Sequence, residues 1–337
     1  MKDVEQNLNE YLKNNKVLEF RDRNYYLNEE SLAKINTIQK EKLALVEHMH
    51  ELLQKVDSGE SISISENSRD IRNDNGSFYS IDDSGEKQVY TKGDLMVAGM
   101  NGFDISLDAN IDSQTKKEFI LRETRRALKA LHNEQIIITE LENKNVSPRD
   151  LCIQSYKEIE KTKNLLPYES KQSGILAETM IESFLTKLAI DNPSLPFRIE
   201  MGNVYDDVRR KIDFKLHIKN EYKRGVKIET QKSDVAIQLT MDTGKTAFKE
   251  DQIRKSQEYS KKLTKREFDD FVLVTVSIDE IKKSLEEWNS QGDLKSLAGP
   301  SDIWTEQTRK LVFIKILEKL PPHLEIEPAE LWESIQN

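Results

Sequence analysis

The chain has 337 residues, long enough for two domains. With 36% apolar and 33% charged residues it is polar, yet its periodic apolar segments exclude a wholly disordered chain. A formal net charge of −9 argues at first against nucleic acid. One cysteine, Cys152, excludes an intramolecular disulfide framework and a cysteine-built zinc site, and suits a reducing, cytoplasmic setting. No apolar run approaches the roughly 20 residues that cross a bilayer. The opening Met1-Lys2-Asp3-Val4-Glu5 carries acids where a signal peptide is basic and then apolar, so a soluble chain without a membrane partner is expected.

The first expected helix spans about Asn28 to Val56, with Asn28 as cap, Glu29 and Glu30 in the first turn, and Leu45, Met49, Leu52 and Val56 on one stripe. His48 and His50 on it are two apart, so they do not share a face and make a poor metal pair. Asp57 to Ser77 is rich in Ser, Asn, Asp and Gly and reads as a flexible linker, with a short alternation at Ser61-Ile62-Ser63-Ile64. Gln88 to Leu107, punctuated by Gly93, Gly99 and Gly102, reads as one or two short strands with turns. A second long helix is expected from Ser113 to about Glu142, and a third from Ser147-Pro148 to about Lys163. Residues 1–165 thus form a mainly helical region, open to a protein partner or a second copy of the chain.

Residues 166–337 differ in pattern. Ser170 to Ala189 is helical, with Ile175, Leu176, Ile181, Phe184, Leu185 and Leu188 on one broad apolar face, and Asn192-Pro193 ends it. Phe197 to Met201 reads as a strand. From Lys211 to Ile218 the apolar residues Ile212, Phe214, Leu216 and Ile218 alternate with Asp213, Lys215 and His217. Val235 to Asp242 alternates again, and Thr243-Gly244 leads into a helix expected over Lys245 to Leu263. Phe271 to Ile278 is a β-branched run, as in a buried strand. Two more helices are expected over Ile278–Gly292 and Asp302–Leu320, and the tail with Leu324, Ile326, Leu331 and Trp332 is expected to dock back on the core.

The charge is unevenly spread. Between Arg209 and Arg266 there are 17 Lys and Arg against 8 Asp and Glu, leaving 34 basic against 52 acidic residues elsewhere. Phosphate binding needs such a local surplus, because each contact releases condensed counterions. Arg209, Arg210, Lys211, Lys215, Lys249, Arg254 and Lys255 are the candidate phosphate contacts. Solvation of strand and helix surfaces by the same lysines is the plain alternative.

Helix, three strands, helix, strand, over Gly174 to Ile278, resembles the core of the PD-(D/E)XK nuclease superfamily. The fold class implied is α/β (α+β): a helical N-terminal region, then a restriction-endonuclease-like α-β-β-β-α-β core with C-terminal helices. In that superfamily a glutamate sits in the first helix, often shortly after a glycine, and Gly174-Ile175-Leu176-Ala177-Glu178 is similar. The second-strand aspartate corresponds to Asp213 in Lys211-Ile212-Asp213-Phe214. The third strand departs from the pattern. Ile237-Gln238-Leu239-Thr240 has Gln238 at the acidic position, a variant found in some branches, and Thr240 where lysine is usual. A competing alignment on Val226-Lys227-Ile228-Glu229-Thr230-Gln231 keeps the acid but also lacks the lysine; the first is preferred because the second helix follows it directly.

The resemblance implies a metal-dependent nuclease cutting DNA or RNA, DNA ahead of RNA, with Mg²⁺ or Mn²⁺ held by Asp213, Gln238 and Glu178. Phosphodiester hydrolysis needs oxygen ligands that leave positions open for phosphate and water, and a cation near the scissile phosphate. With Thr240 at the lysine position, that cation would come from Lys245 or Lys249 at the start of the next helix, or from Lys215 on the face of Asp213. A catalytically degenerate nuclease fold that binds nucleic acid or organises a complex is the alternative, and a protein-interaction scaffold a third.

Overall fold

The computed structural model describes residues 18–21, 24–27, 29–143, 173–202, 206–224, 227–240, 244, 246–261, 268–275 and 278–336. The expected helix cap Asn28, the expected helix from Ser147 to Lys163, and Lys245 lie outside them. The architecture is mixed α/β, with eight α-helices and two mixed sheets among the described residues, and it divides into two units.

The first unit holds two long helices, α1 (Glu29–Asp57) and α3 (Ser113–Asn143). They run antiparallel, since Lys117 near the start of α3 pairs with Asp57 at the end of α1, and Ile38 packs on Ile138 at the other end. Lys42 donates to Gln135 Oε1 at 2.6 Å along the same seam. Lys116 is buried, its ammonium donating to the carbonyls of Glu60 and Ala109 at 2.8 and 3.1 Å. Desolvation lowers its pKa, and Asp108 and Asp112 act against that shift.

Among the described residues the N-terminal region is helical over more than half its length, but it also contains strands. A two-stranded hairpin, β1 (Leu18–Arg21) with β2 (Asn24–Leu27), is joined by a five-stranded sheet of β3 (Ile62–Ser63), β4 (Arg69–Asp74), β5 (Ser77–Ile81), β6 (Lys87–Tyr90) and β7 (Ile105–Leu107), in the order β3-β7-β4-β5-β6. The stretch from Asp57 to Ser77 is therefore strand and tight turn instead of linker. Its polar residues close turns: Ser65 N–H donates to Ser68 Oγ at 3.1 Å, and Gly76 N–H to Asn73 Oδ1 at 3.1 Å. Asn75 and Gly76, at φ 51° and 86°, supply the two left-handed positions that a two-residue hairpin requires.

The second unit takes in Tyr90–Asn101 as well as residues 173–202 and 210–336. The expected short strands of 88–107 are present at its two ends as β6 and β7, but the segment between them is a helix, α2 (Lys92–Ala98), where turns were expected. Thr91 and Asp94 form a capping box: Asp94 N–H donates to Thr91 Oγ1, and Thr91 N–H to the Asp94 carboxylate at 2.6 Å. Leu95, Met96, Val97 and Ala98 are then buried.

Helix α2 packs on α4 (Ser173–Asp191), the helix expected from the apolar stripe. Lys187 of α4 stands between two carboxylates, 3.2 Å from Asp94 Oδ1 and 3.1 Å from Asp191 Oδ2. Asp191 in turn accepts the Gly93 N–H at 2.7 Å, at the start of α2. Burial pulls the Lys187 pKa down, but the two carboxylates outweigh it and the net shift is upward. Asp94 is also shifted upward, because its burial outweighs the attraction of Lys187.

The second sheet contains β8 (Phe197–Met201), β9 (Phe214–Arg224), β10 (Lys227–Thr240) and β11 (Asp270–Thr275), in the order β11-β10-β9-β8. The first three are successively antiparallel, and β11 is parallel to β10. A parallel neighbour needs a crossover, and α5 (Thr246–Lys261) lies in it. Register sets Phe214, Leu216, Ile218, Val235 and Ile237 on one buried face, with Asp213, Lys215, His217, Ala236 and Gln238 on the other.

Three helices complete the unit: α6 (Ile278–Ser290), α7 (Glu306–Leu317) and α8 (Pro328–Gln336). The helix expected from Asp302 begins later, because a 3-10 turn, Pro300–Ile303, precedes it and Thr305 caps α7 by accepting the Thr308 N–H. Trp332 is buried against Phe313, ring centroids 5.2 Å apart, and Phe313 meets Phe197 of β8 at 6.1 Å. The tail docks on the core as its apolar residues imply.

Candidate functional site

The candidate site is built at one end of β10. Asp213 lies immediately before β9, where Lys211 takes a left-handed conformation, φ 60°, in the approach to the strand. The register of β9 with β10 ends at Phe214 and Ile237, one position short of Asp213 and Gln238. The Asp213 N–H donates to the Ile237 carbonyl at 2.9 Å, which fixes the strand end. Its carboxylate Oδ2 then accepts the Leu239 N–H at 2.5 Å. The carbonyl of the same residue accepts a hydrogen bond from Lys249 Nζ at 2.6 Å. A single residue of β10 thus gathers a carboxylate from the approach to β9 and an ammonium from α5.

Beside Leu239 stand the two side chains of the altered third-strand motif. Gln238 is 6% exposed, and its Oε1 is buried without a hydrogen-bond donor. Stranding a buried acceptor costs about 1–3 kcal/mol, so such an atom invites a ligand. Thr240 is buried at the end of the same strand. Glu178 is buried on α4, and the two hydrogen bonds that gather Asp213 and Lys249 about Leu239 do not include it.

The donor set fits a hard divalent cation in a limited way. Among the described residues, no three His, Cys, Asp or Glu side chains gather into a group able to hold a metal. Magnesium, however, is commonly held by one or two carboxylates and completes its shell with waters and substrate phosphate. Asp213 would supply the fixed charge to such an ion, and the unpaired oxygen of Gln238 a neutral donor.

The expected phosphate contacts divide into several kinds. Lys215 is buried instead of presented on the surface, 4.0 Å from Glu200 and 5.4 Å from the ring of Phe268, which ties it into the sheet. Arg254 and Lys255 are exposed on α5, but both pair with Asp251 on the same helix, and Arg254 pairs with Glu258 as well, so their charge is largely balanced locally. Lys249 bonds at the strand-end cluster, through the Leu239 carbonyl. Arg209 and Arg210 close a π-helical turn, Asp206–Arg210; the side chain of Arg209 lies outside the described part, and Arg210 is half-buried. His217 bridges two carboxylates, Asp234 Oδ1 at 2.7 Å and Glu200 Oε2 at 3.3 Å, farther along the face of Asp213.

Two features of the site exceed what the sequence displays. The capture of the Leu239 carbonyl by Lys249 depends on how α5 returns across the strand end, although a lysine early in α5 is the available signal. Nothing in the sequence marks the unpaired oxygen of Gln238. Comparison with known proteins finds no matching family model, no curated relative and no solved structure.

Proposed function

We propose that the chain is a metal-dependent nuclease that hydrolyses phosphodiester bonds, DNA ahead of RNA, at the site of Asp213, Gln238 and Lys249. The observation that carries this reading is the convergence at Leu239: a carboxylate on its N–H, an ammonium on its C=O, and the unpaired oxygen of Gln238 one residue away. The element order supports it. Helix α4, strands β8, β9 and β10, helix α5 and strand β11 follow the α-β-β-β-α-β sequence of a PD-(D/E)XK core, with β10 between its antiparallel and parallel partners.

In this reading Asp213 and Gln238 hold a Mg²⁺ or Mn²⁺ ion, which when bound polarises a phosphate oxygen and makes water a better nucleophile. Lys249 takes the role of the missing third-strand lysine, stabilising negative charge as water oxygen bonds to phosphorus and the ester oxygen leaves. Its ammonium moves from the Leu239 carbonyl towards the phosphate or shares its three N–H donors between them. Glu178 is a second-tier ligand, reached through water.

The test is EDTA-sensitive cleavage of DNA and RNA with Mg²⁺ or Mn²⁺, comparing the wild type with Asp213→Ala. Cleavage by the wild type and none by the variant is the expected result. No cleavage of any form by either protein refutes it. A second reading, a degenerate nuclease fold that binds without cutting, is favoured by Thr240 at the lysine position and, among the described residues, by the absence of a group of three metal-ligating side chains. It predicts salt-sensitive binding that persists in Asp213→Ala and needs no metal.

A further inference from the structure

Among the described residues, eight large apolar side chains stand exposed, and Phe248 is both the most exposed, at 64%, and the only aromatic one. It is the third residue of α5, immediately before Lys249. Successive helical residues point about 100° apart. The bond from Lys249 to the Leu239 carbonyl therefore fixes the rotation of α5 and leaves Phe248 turned outward beside the candidate site. The first turn of this helix contains no acid, and its one cation, Lys249, follows the ring directly. An uncovered aromatic ring next to a cation is chemistry that stacks a base while the backbone phosphate is neutralised.

We propose that Phe248 is a stacking platform for one unpaired nucleobase, so that the substrate class is single-stranded nucleic acid, or a duplex with a frayed or unpaired end, rather than closed duplex. This rests on the nucleic-acid reading of the site but not on its being catalytic. A base in a closed duplex already stacks on both faces and offers none to Phe248. An unpaired base offers an open face, and the neighbouring phosphate then lies near Lys249. The ring is sequence-tolerant, because every base has a π-face.

The experiment measures binding of the full chain to a fluorescent single-stranded oligonucleotide and to a closed hairpin duplex of the same sequence, in EDTA so that nothing is cut. The wild type, Phe248→Ala, Phe248→Trp and Asp213→Ala are compared. Phe248→Ala should weaken single-strand binding about tenfold, the effect of losing one stacked base, and leave duplex binding within twofold. Phe248→Trp should retain the affinity, with a change in its tryptophan emission on binding the single strand and none on binding the duplex. Equal affinities for wild type and Phe248→Ala, or an equal loss on both forms, overturn the stacking role while leaving the nuclease reading intact. Absence of any binding by the wild type overturns both. Phe248-dependent binding by a protein that cuts nothing in Mg²⁺ or Mn²⁺ supports the platform and removes only catalysis.

Discussion

Replacing Gln238 by Met removes a buried amide while keeping an unbranched side chain of similar length. Gln238 is 6% exposed and its Oε1 has no donor. If that oxygen awaits a cation, the metal-free protein bears the cost of stranding it, about 1–3 kcal/mol. Methionine strands nothing, and its flexible thioether fits irregular space. Some of the gain is lost to imperfect packing, which for a volume-conserving swap costs under about 1.5 kcal/mol. The expected net change is a stabilisation of about 1 kcal/mol, or about 2–4 °C in Tm for a unit of this size.

The metal response gives the opposite sign. At roughly 100 times its Kd, a cation bound only by the folded state stabilises by about 2.7 kcal/mol, and the variant should lose most of that gain. Urea and thermal unfolding with EDTA, Mg²⁺ and Mn²⁺ measure both effects on the same preparations. Wild type and Gln238→Met should therefore exchange rank when metal is added. Destabilisation of the metal-free variant by more than about 1 kcal/mol would show an amide that is satisfied in the core. An equal metal response in both proteins would show that the oxygen is no ligand.

Lys249→Met should lower the cleavage rate about a hundredfold with little change in KM, the scale for removing one donor to developing charge, as measured in single-turnover assays. Lys187→Met leaves Asp94 and Asp191 without their shared cation and should cost about 3 kcal/mol in urea unfolding, the lower end for breaking a buried pair because 22% of the lysine side chain still meets solvent. Since the folded-state pKa of Lys187 is raised above its ordinary 10.5, its stabilisation is complete below pH 10.5 and disappears as pH climbs through the folded value; the wild type should therefore lose stability more steeply than Lys187→Met on that alkaline limb. Gly93→Ala places a Cβ 2.6 Å from Asp191 Oδ2, forcing that carboxylate off the start of α2. With the charge-assisted bond from the Gly93 N–H lost, about 2 kcal/mol should disappear in the same unfolding assay.

Elements with a clean period were legible in the sequence. Phe197–Met201 appears where its alternation puts it, and α3 matches its apolar stripe closely. Two stretches misled for a shared reason: polar and glycine residues mark turns inside structure as well as the absence of structure. Asn75-Gly76 is a hairpin signal, and reading the whole of 57–77 by composition concealed it. Thr91-x-x-Asp94 is a helix-start signal, but Gly93 and Gly99 around it suggested turns between strands. Gly93 is present for space, since a larger residue would meet Asp191, a partner 98 positions away.

The site was legible to the extent that strand alternation alone could set it. The period of two in each sequence suffices to infer a common face for Asp213 and Gln238, which follow directly on the last paired positions, Phe214 and Ile237. The position of the cation follows from a different constraint. A strand parallel to β10 can be reached only by carrying the chain back across the sheet, so the helix in that crossover must begin near the end of β10. A lysine in its first turn then lies within a side chain's reach of the last strand carbonyls, and Lys249 takes that of Leu239, ten residues earlier. Connectivity thus supplies at the helix start the charge that Thr240 cannot supply on the strand. A motif search that requires the lysine two residues after the acid tests sequence spacing, whereas the proposed hydrolysis would ask that an ammonium and a carboxylate share one strand end, whichever element brings them there.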